Sequence, residues 1–351
     1  MKAKLLLEDG TLFEGESFGS NKTVYGEIVF NTGMTGYQEI LTDPSYGGQV
    51  VVMTYPLIGN YGINTEDTES NNIKAEAFVV KELAEHESNW KSTQKLADYM
   101  KRNDIPGISG VDTRMLTKII RTKGTMNCLI TTENITDNLK IRLNKFVFPS
   151  DIVTKVSSRE PITIGSGNKK IALVDLGVKT GIVRHLASLG CEVTVYPWNV
   201  SAQEILKSNP DAVFLSNGPG DPKDVKQAIE TTKQLIGKRP LLGVCLGHQI
   251  LCLALGGDTY KLKFGHRGSN HPVIDLDTNK VTITAQNHGY AVRENSLPEG
   301  CRVTHLNIND GTIEGFCNEE LNIYSVQYHP EAGPGPRDAN YLFKQWIELL
   351  N

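Results

Sequence analysis

A chain of 351 residues is longer than one ordinary core can fill, which points to two domains. Its 39% hydrophobic and 22% charged residues have the balance of a soluble globular protein. A net charge of −4 with no basic cluster gives no electrostatic case for nucleic acid or an anionic membrane, and no apolar run reaches spanning length. The start, Met1-Lys-Ala-Lys-Leu-Leu-Leu-Glu8, lacks a signal-peptide core, so the expected address is cytoplasmic. The cysteines at 128, 191, 245, 252, 301 and 317 form no C-x-x-C pair and are expected to be reduced thiols.

In chain order, the first 150 residues read as a β-rich α+β domain. Asp9-Gly10 between apolar runs 4–8 and 11–18 predicts a hairpin. Further strands are predicted over 26–30, 37–41 and 49–53. Helices are predicted over 92–103 with Ser92 as cap, over 112–122, and over 136–145. Residues 151–170 have little periodicity, carry Ser157-Ser158 and Gly165-Ser-Gly-Asn168, and read as a linker.

From residue 171 to 351 strands alternate with helices. Strands are expected over 171–176, 192–196, 211–216 and 240–245, and helices over 181–189, 224–236 and 246–255. Ser201-Ala-Gln-Glu204 is a capping box opening a short helix. Buried parallel strands joined by helices make a doubly wound domain. Later strands over 273–276, 280–285, 302–306 and 322–327 read as antiparallel, before a closing helix over 338–349.

Three segments carry chemistry. Pro240-Leu-Leu-Gly-Val-Cys-Leu-Gly-His-Gln249 sets Cys245 between Gly243 and Gly247 where a strand turns sharply into a helix. That is the cysteine form of a nucleophile elbow, at the positive end of a helix dipole. Val326-Gln-Tyr-His-Pro-Glu331 offers a base. Pro330 biases His329 to an extended backbone, so the His329 and Glu331 side chains share one side, and a carboxylate there fixes the imidazole tautomer. Leu215-Ser-Asn-Gly-Pro-Gly-Asp-Pro222 follows a strand and offers backbone N–H groups at the carboxyl edge of the sheet. Gln249 lies one helical turn beyond Cys245, and Asn287-His-Gly-Tyr290 is expected to be a loop after its strand. Gly177-Val-Lys-Thr180 does not meet the requirements of a phosphate loop, and His266, His271 and His288 lack metal-ligand spacing, so no metal is expected.

Together, 216–222, 243–249 and 327–331 resemble the triad-type, class I glutamine amidotransferases. The stretches 264–272, 284–292 and 329–336 are similar to the small-chain family of carbamoyl-phosphate synthase. So are Leu7-Glu-Asp-Gly-Thr-Leu-Phe-Glu-Gly-Glu-Ser-Phe-Gly19, Phe30-Asn-Thr-Gly-Met-Thr-Gly-Tyr-Gln-Glu39, Thr42-Asp-Pro-Ser-Tyr46 and Gly110-Val-Asp-Thr-Arg114, which resemble that family's own first domain. The resemblance implies Cys245 as nucleophile with His329 and Glu331. It implies a glutamine pocket of Ser45, Gly218, Gly220, Leu246, Gln249, Asn287, Gly289 and Tyr290. It further implies a partner, the large synthetase subunit, in a heterodimer or an assembly of heterodimers. ATP and its divalent metal would then lie on that larger chain, with no cofactor in this one. Gly333, Arg337 and Gly181-Ile-Val depart from the family's usual residues without removing a motif position.

Overall fold

The computed structural model describes residues 1–350, which form two compact units, Met1–Pro149 and the chain from Ser150 onward. Among these residues no helix is long and apolar enough to cross a membrane.

The first unit is built on a closed barrel. Around it run Lys2–Leu7, Leu12–Gly19, Pro106–Ser109, Ala77–Val79, Gln49–Met53, Val24–Asn31 and Met126–Thr131. The Asp9-Gly10 hairpin forms as expected, with Gly10 at φ 88° and the Leu7 N–H donating to the Thr11 carbonyl. Closure leaves no unpaired edge, and the strand Gln49–Met53 is buried at every residue. Two expectations fail here. Residues 37–41 are helical, in Tyr37–Thr42, where Tyr37, Ile40 and Leu41 turn one buried face onto the barrel core. The helix predicted from Ser92 spans only Leu96–Arg102, and the Ser92 hydroxyl contacts the Gln94 carbonyl instead of capping it. The two later helices form one residue further on, with their expected first residues acting as caps: Asp112 accepts from the Met115 N–H of Thr113–Lys123, and Thr136 from the Leu139 N–H of Asp137–Asn144.

The second unit is a ten-stranded sheet whose centre is parallel. Cys191–Pro197, Lys169–Asp175, Ala212–Leu215, Leu241–Val244 and Ile323–Val326 lie side by side in that order, all pointing one way. Alternation along each strand divides the apolar residues between two layers. Ala172, Val174, Val213 and Leu215 pack with Ile205, Leu235, Ile250 and Leu251 on one face. Ile171, Leu173, Ala212 and Phe214 pack with Ile182, Leu186, Phe343 and Trp346 on the other. Burying each larger side chain is worth roughly 1.5–3 kcal/mol, so both helical layers are held by the sheet rather than by helix propensity.

The segment read as a linker is part of this unit. Ile152–Val156 is helical, with Val153 in the core, and Ile162–Ile164 adds an antiparallel edge strand beside Cys191–Pro197. Its polar groups are also tied down, since the Ser158 N–H donates to Asp175 and the Trp198 N–H to the Ser157 hydroxyl. Low periodicity reflected short elements, not a tether. The antiparallel extension is larger than the sequence suggests. Thr259–Asp275 pairs with Lys280–Val292 through two irregularities in register, and Ile313–Asn318 is a strand the sequence reading missed. Asn287-His-Gly-Tyr290 lies inside a strand and not in a loop. Ile323–Val326, expected to be antiparallel, is parallel to Leu241–Val244 and antiparallel only to Ile313–Asn318.

The turn between Leu241–Val244 and the helix Leu246–Ala254 is sterically closed. A Cβ on Gly247 would lie 2.1 Å from the Leu215 carbonyl oxygen, and one on Gly243 would lie 2.5 Å from the Leu251 side chain. Gly247→Ala is therefore expected to shift backbone on two adjacent elements. It should lower the urea midpoint of the second unit by the equivalent of about 1–3 kcal/mol, read by tryptophan fluorescence. An unchanged midpoint would show that the turn has slack.

Candidate active site

Cys245 has φ 56° and ψ −106°, a left-handed backbone that a residue with a side chain rarely adopts. Its N–H donates to the Val326 carbonyl at 2.9 Å, and the Gly247 N–H donates to the Ser216 carbonyl at 3.0 Å. Those bonds tie the turn to both neighbouring strand ends, so the strain is held by three elements at once. The thiol is buried and donates to the Asn287 carbonyl at 3.6 Å. His248, in the same motif, bonds the Ser325 hydroxyl at 2.9 Å instead, and burial holds its pKa down to about 3.

His329 and Glu331 leave the end of Ile323–Val326. The His329 N–H donates to the Ala285 carbonyl at 2.9 Å, which fixes the backbone in an extended bridge. Its Nδ1 is 2.7 Å from Glu331 Oε1. With Glu331 ionised, Nδ1–H donates to it, which leaves Nε2 as the ring nitrogen available to exchange a proton. Burial works against a charged imidazole, yet the Glu331 carboxylate outweighs both burial and the Lys179 charge and raises the His329 pKa to about 10. Burial likewise opposes the Glu331 charge, but Lys179 and then His329 pull its pKa down to about 2.

Lys179 is the residue sequence reasoning missed. It is almost fully buried, its Nζ sits 3.0 Å from Glu331 Oε1, and it also donates to the Ala332 carbonyl. The loop that carries it is shaped by Asp175, whose carboxylate accepts from the Gly177 and Val178 N–H groups at 2.9 and 2.8 Å. Asn217 then clamps that loop to the neighbouring one, accepting from the Lys179 N–H and donating to the Gly177 carbonyl, each at 3.0 Å. A lysine just past an apolar strand was the available signal.

The structure brings most of the remaining candidates to this place. Gly218 approaches so closely that a Cβ would lie 2.1 Å from the Leu176 carbonyl and 2.8 Å from the Leu246 side chain. Gly220 has φ 91°, with Ile152 packed against it. Gln249 Nε2 donates to the Tyr290 carbonyl at 2.8 Å and to Gln327 Oε1 at 2.9 Å, linking the helix to the strand that bears Asn287, Gly289 and Tyr290. Gly218, Gly220, the Cys245 turn and His329 follow the carboxyl ends of adjacent parallel strands, where open α/β sheets bind ligands, while Asn287, Gly289 and Tyr290 come from the antiparallel strand Lys280–Val292. Ser45 belongs to the first unit. It is buried in the single turn Pro44–Tyr46, with its N–H donating to Asp43 Oδ1 at 2.8 Å.

The His329–Glu331 pair makes stability depend on pH at both ends. The His329 contribution is complete below its ordinary value of 6.5 and is lost as pH rises through about 10. The Glu331 contribution is complete above 4.5 and is lost as pH falls through about 2. Glu331→Gln should lower the His329 pKa and flatten both limbs. Ring 15N shifts and urea midpoints across pH 3–10 measure this, and an unmoved His329 would show that Glu331 does not hold its charge.

Comparison with known proteins agrees over the whole chain. The family model for class-I glutamine amidotransferase matches residues 172–349, and that for the carbamoyl-phosphate synthase small chain, CPSase domain, matches residues 5–130. The carbamoyl phosphate synthase small chain of Clostridium perfringens is 52% identical, with 99% of each chain covered. The pyrimidine-specific small chain of Bacillus subtilis is 53% identical, covering 100% of this chain and 96% of its own. Among solved structures, a putative GMP synthase protein from Thermoplasma acidophilum matches 52% of this chain and 94% of its own at 21% identity, with a TM-score of 0.45.

Proposed function

The chain belongs to the small-chain family of carbamoyl phosphate synthase, and from that premise we propose that it hydrolyses glutamine at Cys245 and delivers the ammonia to a large synthetase subunit. The observation that carries the reading is the strained Cys245 turn beside a buried, hydrogen-bonded His329–Glu331 pair. Gly218, Gly220, Leu246, Gln249, Asn287, Gly289 and Tyr290 form the glutamine pocket of this proposal. Ser45 is assigned to it by family resemblance alone.

The Cys245 sulfur, its proton passed to His329 Nε2, attacks the side-chain carboxamide carbon, forming a C–S bond while the carbonyl π pair moves to oxygen. The Leu246 N–H and the loop at Gly220 meet that oxyanion, the first at a helix N-terminus where negative charge is favoured. Collapse breaks the C–N bond, and His329 Nε2–H protonates the leaving nitrogen as ammonia. The neutral imidazole then takes a proton from water, hydroxide attacks the thioester, and glutamate leaves as the C–S bond breaks. Glu331 keeps the His329 Nδ1 proton in place through both half-reactions, and Lys179 keeps Glu331 ionised. Ammonia must remain unprotonated to act as a nucleophile, so it passes by an interior route to the large subunit. That partner binds ATP with its divalent metal and makes carbamoyl phosphate from bicarbonate, as one heterodimer or an assembly of them. This chain needs no cofactor for its half of the work.

Cys245→Ser should abolish glutamine-dependent carbamoyl phosphate synthesis by the complex and leave synthesis from added ammonia intact. Labelled glutamine should leave a trapped thioester on the unsubstituted chain only. Full glutaminase in the serine variant would remove Cys245 from the mechanism.

A further inference from the structure

The strand that supplies Asn287 and Tyr290 also carries His288, which belongs to a buried group of imidazoles and carboxylates outside the Cys245, His329 and Glu331 set. His266 pairs with His288 across Thr259–Asp275 and Lys280–Val292, and their rings meet edge-on with centroids 4.8 Å apart. Glu314, on Ile313–Asn318, completes the group and is fully buried. Ligand atoms of these three residues all lie within 4.8 Å of one another.

The hydrogen bonds on the far side of each ring decide where the lone pairs point. His288 Nδ1 lies 2.7 Å from the Tyr290 carbonyl and can only donate to it, which leaves the Nε2 lone pair directed inward. His266 Nε2 lies 2.8 Å from Asp310 Oδ2 and donates likewise, so Nδ1 is its inward atom. Carboxylate–histidine and carbonyl–histidine contacts of this kind orient metal-binding imidazoles. Glu314 Oε1 sits 3.3 Å from His266 Nδ1 and 4.0 Å from His288 Nε2, while its Oε2 is buried with no hydrogen-bond partner among the described residues. Gln286 Oε1 is 2.8 Å from His288 Nε2 and 3.1 Å from His266 Nδ1, so a fourth oxygen faces the same point. The edge of a tetrahedron with metal–ligand bonds of about 2.0–2.1 Å is about 3.3–3.4 Å. Four of the separations, from 2.8 to 4.0 Å, lie around that edge, and because the ligand atoms of the three residues spread over as much as 4.8 Å, binding one ion draws them closer together.

We propose that His266, His288 and Glu314, with the Gln286 amide oxygen as fourth ligand, form a structural zinc site. Asp310 and the Tyr290 carbonyl hold the two imidazoles in their binding tautomers. Two imidazoles and a carboxylate suit a divalent ion of the zinc type, and the absence of a thiolate among the four separates this site from thiol chemistry at Cys245. Zinc here ties three strands together next to the glutamine pocket. No linear motif announces it, because its ligands stand 22 and 26 residues apart on separate strands and meet only when the strands pair.

The test is equilibrium dialysis of zinc against the chelator-treated full chain carrying Cys245→Ser, which removes the most reactive thiol. One equivalent per chain is expected, with affinity lost at least tenfold in Glu314→Gln. Asp310→Asn should weaken binding by about 10–100-fold, the usual effect of losing such an outer partner. Its side chain is partly exposed, so that variant serves if Glu314→Gln does not fold. Cobalt in place of zinc should give visible bands of four-coordinate nitrogen and oxygen ligation without a thiolate charge-transfer band. No stoichiometric binding, equal binding by both variants, or a thiolate band would overturn the proposal. In the first case the group is an ion triad, in which burial opposes the His266 charge but Asp310 and Glu314 raise its pKa to about 9. Metal binding is read without reference to glutaminase activity, so the two readings fail separately.

Discussion

Cys245 is held in a backbone conformation that its own side chain disfavours, and most of the second unit is arranged around that constraint. A φ of 56° at a non-glycine residue costs on the order of 1–3 kcal/mol and persists only where surrounding structure over-determines it. Here the strand Leu241–Val244 is fixed on both sides by parallel partners, and the helix Leu246–Ala254 is pressed against the Leu215 carbonyl at Gly247. The sulfur has nowhere else to go. Its position at the carboxyl edge of the sheet follows from the packing of Leu246, Ile250 and Leu251 into one core layer, well before any question of chemistry arises.

Once the sulfur is fixed, the charges near it must be fixed too, because a buried ion without a partner costs far more than it returns. Lys179, Glu331 and His329 come from the ends of two different strands and satisfy one another in series. Glu331 stands between two cations and is therefore the residue on which the ionisation of the others turns. The loops carrying these side chains are braced by neutral groups, Asn217 and Ser216 among them, both wholly buried. Such bracing is needed because a loop over a buried charge has no water to satisfy its own N–H and C=O groups.

The antiparallel extension gives the site its other wall. Lys280–Val292 supplies the carbonyl against the thiol and the carbonyl that receives Gln249, and it does so from a pairing with Thr259–Asp275 that is interrupted twice. Bulges re-aim side chains, and they cluster where a strand serves a site as well as a sheet. The polar cluster of His266, His288 and Glu314 sits on the same strands, so the stiffness of that cluster and the placement of Asn287 have a common cause.

What the residues determined unaided was local: the Asp9-Gly10 hairpin, the helices near 112–122 and 136–145, the cap at Ser201, the alternating strands of the doubly wound half, and the turn at Cys245. Each rests on neighbours within a few positions, where φ/ψ preference and side-chain period are decided. The pairing of His329 with Glu331 was legible for the same reason, since residues two apart in an extended chain share a side. Only the folded chain decided that Lys179 turns inward to Glu331, and that Asn287–Tyr290 extends a strand instead of closing a loop. It also decided that 37–41 is helical, that 162–164 joins the sheet, and that His266 and His288 converge on Glu314. Those outcomes depend on which surfaces meet across the sheet, and burial overrides local preference wherever a polar group can find its partner only through space.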